Sequence, residues 1–196
     1  MMIRLAINVG VMGMGLLGVI SGDGIEGSAH DFSGERWSQG QLCLPCHVPH
    51  DAEAAPVTPL WDQSEGAGKS YKLYDGREGT PGLQSLLCLS CHDGSAAVDT
   101  FGQPSSGASA SGGPHERMLI GDHADLSSDH PIGVRYPDHD RGYRSRAEVE
   151  ADGTVALPEG RVECTSCHDV HNSFGHEKLL VKSNDRSALC LTCHRK

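Results

Sequence analysis

The sequence predicts a mostly irregular, loop-rich fold with short α-helices at four recurring motifs and little β-structure. Three observations predict it. All eight cysteines fall in Cys-x-x-Cys-His motifs: Cys43-Leu-Pro-Cys46-His47, Cys88-Leu-Ser-Cys91-His92, Cys164-Thr-Ser-Cys167-His168 and Cys190-Leu-Thr-Cys193-His194. Gly and Pro number 25 and 10, so long segments favour turns over regular elements. Aromatic residues are only 5 % of the chain, too few large apolar side chains for a sizeable protein core.

The motif spacing is that of covalent c-type haem attachment, in which two thiols form thioethers and the adjacent histidine ligates iron. Eight cysteines make four attachment sites with none left over, so four haem c are expected. Two all-cysteine zinc sites would leave the four trailing histidines unexplained. A disulfide framework predicts varied spacings, and a thioredoxin-like centre needs one motif in a βαβ setting. Four macrocycles supply the apolar surface that the chain lacks. The expected architecture is a polypeptide wrapped around stacked haems.

In chain order, residues 1–29 read as an export signal. Arg4 is a short basic region, and Leu5 to Ile20 is an apolar run interrupted by Asn8 and short for a bilayer span. Gly27 and Ala29 offer a cleavage site before His30, with Ser21 or Gly24 as alternatives. A periplasmic, extracellular or cell-surface location is therefore expected. The net charge of −10 and the lack of a basic patch argue against nucleic acid as a partner. Other redox proteins or extracellular acceptors are the expected partners.

Residues 30–196 form the expected tetrahaem domain, in two haem-pair halves over about 30–102 and 115–196. Each half carries a CxxCHxxH motif followed by an LCLxCH motif, with a histidine upstream, His30 or His130. The Ser/Gly-rich stretch from Gln103 to Pro114 reads as a surface loop between them. Short helical turns are expected at each first cysteine, with helices over 85–91 and 187–194, the latter capped by Ser187. A short strand is expected over 71–74, and a hairpin around Asp152-Gly153 within 148–156.

The motif fixes four proximal iron ligands, His47, His92, His168 and His194. Only Met118 lies beyond the leader, so at most one haem can be His/Met ligated. His50 and His171 are distal candidates, each three residues after a proximal histidine and on the same side of a helical turn. Opposite faces of one iron cannot be reached by such neighbours, so each must serve another haem. His30 and His130 complete the set, with His123 a rival to His130. His115, His139 and His176 read as surface or propionate contacts. Asp122, Asp125 and Asp129 resemble a calcium loop only weakly, and Asp138-His139-Asp140 reads as a polar loop.

The strings Cys43-Leu-Pro-Cys-His-Val-Pro-His50, Leu87-Cys-Leu-Ser-Cys-His-Asp-Gly94, Ser128-Asp-His-Pro-Ile132 and Cys164-Thr-Ser-Cys-His-Asp-Val-His-Asn172 resemble those of bacterial multihaem cytochromes with doubled CxxCH motifs. The tetrahaem size is also similar to that of subunits of extracellular cytochrome filaments. That resemblance implies a homopolymer in which the histidine beside the first motif, His50 by position, ligates a haem of the neighbouring subunit. The expected function is electron transfer through four bis-histidine haems. The alternative is a multihaem oxidoreductase with one five-coordinate haem. No catalytic constellation stands out.

Overall fold

The computed structural model describes residues 24–47, 69–94, 119–121 and 124–196. Residues 1–23 of the expected leader, the Gln103 to Pro114 loop, His50, His115, Met118, Asp122 and His123 lie outside the described residues. Regular structure is short wherever it is described. Strands β1 (Tyr71–Lys72) and β2 (Glu78–Gly79) form one antiparallel hairpin, and β3 (Val134–Arg135) pairs antiparallel with β4 (Arg161–Val162). The helices are α1 (Leu83–His92), α2 (Arg146–Glu150), α3 (Cys164–Cys167) and α4 (Ala188–Cys193). Single 3-10 turns lie at Arg36–Ser38, Pro158–Gly160, Glu177–Leu179 and Asp185–Ser187.

The apolar residues gather into two small clusters. Tyr71, Leu73, Leu86, Leu89 and Leu126 form the first, flanked by Ile120, Ala124, Ile132 and Val134. The hairpin of the first half and the start of the second therefore share one core. Leu126 N–H donates to the Lys72 carbonyl at 2.8 Å, and Lys72 Nζ reaches Asp125 at 3.1 Å. Tyr136, Val149, Val155, Leu157 and Val181 form the second cluster, beside Leu189 and Cys193. Tyr136 ties it to the last motif by donating its hydroxyl to the Arg144 carbonyl at 2.8 Å, with the Cys193 carbonyl 3.2 Å away.

Three local expectations are corrected. The strand over 71–74 stops at Lys72, because Leu73 N–H and Gly76 N–H already bond within the turn that leads to Arg77. Residues 148–156 do not form a hairpin. Ser145 and Glu148 make a reciprocal capping box, which starts α2 and carries Glu148 into a helix. Ser187 precedes α4 but sits at φ 63° without a side-chain bond to the helix, so it is not a cap.

Candidate haem-binding site

A CxxCH segment must present two thiols and one imidazole to the same cofactor edge, and one helical turn does this. Each motif supplies such a turn. His47 N–H and Cys46 N–H both donate to the Cys43 carbonyl. Cys88 to His92 close α1, where Cys88 to Leu89 follow the buried Leu86. His168 N–H donates to the Cys164 carbonyl at 3.0 Å, and His194 N–H to the Cys190 carbonyl at 2.9 Å. The last two histidines stand at the helix C-caps in extended backbone.

The structure brings three motif histidines against three others. His30 lies beside His92 with ring centroids 5.8 Å apart. His47 faces His171 at 6.2 Å with the rings within 13° of parallel. His130 meets His194 at 6.5 Å, nearly edge to face. His168 is placed differently. Its Nδ1 lies 3.0 Å from the Lys178 carbonyl oxygen, which can only accept, so Nδ1 is the donor. His176 and His139 make no ring contact among the described histidines. His50 and His123 lie outside the described residues, so neither is placed.

The three later motifs converge. α1 packs against α3, which brings the Cys88 and Cys164 thiols close enough to perturb each other. That contact raises the Cys88 pKa and lowers that of Cys164. Burial raises the Cys167 thiol to about 11, and the nearby Cys193, Cys164 and Cys190 add to the effect. The junction is sealed by Glu163, a residue that the sequence reading passed over. Its carboxylate accepts from Gly82 N–H at 3.1 Å and from the Ser85 hydroxyl at 2.5 Å. Ser85 Oγ in turn accepts from Cys164 N–H at 2.9 Å. Its position immediately before Cys164 is the only sequence signal that marked it.

A second overlooked group stands after His92. Asp93 is buried, and it accepts from the Tyr71 hydroxyl and from Lys69 Nζ, each at 2.6 Å. Burial, then the Asp93 carboxylate, pushes the Tyr71 pKa far above the phenol range. This network fixes the chain just past a proximal histidine. Of the three acidic residues of the suspected calcium loop, Asp122 lies outside the described residues, and the other two have protein partners. Asp125 accepts from Ser127 and pairs with Lys72, and Asp129 accepts from Gly121 N–H. No group of three His, Cys, Asp or Glu suited to a metal ion occurs among the described residues.

These residues fit haem c. Burial lowers the His30 pKa, which favours the neutral ring that a ligand requires, and its buried Nδ1 has no protein partner. Metal–imidazole bonds of about 2 Å on opposite sides of one ion place ring centroids roughly 6 Å apart. The three histidine pairs have that separation, and each contains one motif histidine.

Residues 158–196, which hold α3, α4 and the last two motifs, match the doubled CXXCH motif family. The match supports a multihaem c-type cytochrome that carries covalently bound haem c and transfers electrons. No curated protein matches the chain. Among the described residues no helix is long and apolar enough to cross a membrane.

Proposed function

We propose that the chain is an exported tetrahaem electron carrier with bis-histidine iron ligation and no substrate chemistry of its own. The observation that carries this reading is the set of three histidine pairs. On this reading His30 would serve the haem of Cys88 and Cys91, and His171 the haem of Cys43 and Cys46. His130 goes to the haem of Cys190 and Cys193. The first and last of these are repeat equivalents, an upstream histidine serving the LCLxCH motif of its own half. The pair His47 and His171 crosses between halves. The same repeat logic assigns His50 to the haem of Cys164 and Cys167, opposite His168.

Haem, when bound, supplies the one-electron couple. Each motif's two cysteines would hold a haem through thioethers, and the paired histidines would ligate its iron. With two histidines on each iron, no coordination site would remain for a substrate, which favours transfer over the oxidoreductase reading. His50 also carries the filament reading. In a neighbouring subunit rather than in its own chain, it would join the haem rows of successive copies.

The test is maturation of the full chain in a host that attaches haem c. Four haem masses should remain after denaturation. The spectrum should be low-spin in both oxidation states, with no rapid carbon monoxide binding to the ferrous form. Fewer haems, or one that binds carbon monoxide at once, would overturn the proposal.

A further inference from the structure

Glu163 is 3 % exposed, and no lysine or arginine among the described residues pairs with it. A buried carboxylate without a cation is costly unless hydrogen bonds hold it. Here the donors are the Gly82 N–H and the Ser85 hydroxyl, at the start of α1, where helix dipoles also favour negative charge. The fit is tight. A methyl group on Gly82 would lie 2.8 Å from Glu163 Oε1, so only glycine admits the carboxylate there. The charge sits directly before Cys164 and against α1, the helix that carries Cys88 and Cys91. Two attachment motifs therefore share one fixed anion.

We infer that Glu163 is a positioning residue that also sets redox potential, its carboxylate favouring the ferric state of the haems carried by α1 and α3. This rests on the electron-carrier reading above. Reduction takes one electron from an external donor and lowers the iron's charge by one unit. A fixed negative charge nearby makes that step less favourable. The interaction is strong because low-polarity surroundings screen it poorly. A purely structural role predicts the opposite sign on loss of the residue. A loosened junction admits water, which favours the more highly charged ferric form and makes the potential more negative.

The experiment is a spectroelectrochemical titration of the matured full chain, with dithionite as reductant. It compares wild type with Glu163→Gln, Glu163→Asp and Ser85→Ala. Haem mass and spin state are measured first, so that failure of the electron-carrier reading shows in wild type before any potential is read. In Glu163→Gln at least one haem should become about tenfold easier to reduce, a shift of about 59 mV to more positive potential. Glu163→Asp keeps the charge and should stay near wild type. Ser85→Ala removes a donor that offsets the charge, so the same component should move the other way by about threefold. No shift, or a negative shift, in Glu163→Gln overturns the inference. If that variant does not accumulate with its haems, a null or positive shift in Ser85→Ala overturns it.

Discussion

His171 hangs from an exposed loop that the Asp169 carboxylate holds by accepting from His171 N–H at 3.0 Å and from Ser173 N–H at 2.8 Å. Its imidazole Nδ1 lies 3.7 Å from the Asp169 carboxylate, and the largely exposed ring stands beside His47. His171→Ala should therefore turn one haem high-spin while all four stay covalently attached. Magnetic resonance of the ferric protein and intact mass read the two quantities, and a wholly low-spin spectrum would assign that face to another residue. At Asp125 the chemistry is acid–base. The Ser127 hydroxyl and N–H, then Lys72, hold its pKa at about 2, below the ordinary 3.8. A depressed carboxylate contributes stability that is present above its unfolded pKa and lost as pH falls through the folded one. The denaturant midpoint should thus fall between about pH 4 and about pH 2, and Asp125→Asn should flatten that slope. An equal slope in the variant would show that the pair adds nothing. The CxxCH residues were legible at this scale because covalent chemistry fixes their spacing. Which histidines stand beside His47 and His92 was not, since residues far apart in sequence meet only after folding.

The helices that matter are those bearing thiols, and α1 depends on the close approach of Gly82 to Glu163. Gly82 has φ −63°, a value any residue adopts, so the glycine is required by space and not by backbone conformation. Gly82→Ala should destabilise the protein by about 1–3 kcal/mol, because the carboxylate is already fixed by Ser85 and cannot retreat freely. Chemical denaturation of the matured protein measures this. An unchanged or higher midpoint would mean that the α1–α3 junction is looser than described. The helix at 83–92 could be read from its leucines and motif. α2 could have been read too, since Ser145 and Glu148 have capping-box spacing, but Asp152-Gly153 gave a competing turn signal. The α1–α3 contact had no sequence signal beyond a lone glutamate, because a clamp between distant segments leaves no periodic trace.

At the scale of the molecule, the halves divide labour less cleanly than their repeat implies. Leu126, Ile132 and Val134 pack on the first-half hairpin, and Glu163 grips α1 from the second half. The question left to His50 is whether its iron belongs to the same chain. His50→Ala should produce one high-spin haem in either case. If the protein polymerises through this ligand, filaments seen by negative-stain microscopy should also be lost. If it is a monomeric carrier, the variant should remain monomeric. Intact filaments with wholly low-spin haem would remove His50 from the ligand set. Finally, the contact of His47 with His171 has a consequence for biogenesis. A chain exported from its N-terminus delivers Cys43 and Cys46 to the attachment machinery well before His171 emerges. On the proposed pairing, the first haem is bonded to protein while one axial position is still open, and it is completed only when the last third of the chain arrives. A nascent or truncated product ending before Cys164 should therefore carry a high-spin, ligand-accepting haem. On that pairing, the order in which the chain is exported, more than the order of electron flow, would set when the first haem is shielded from small reactive ligands.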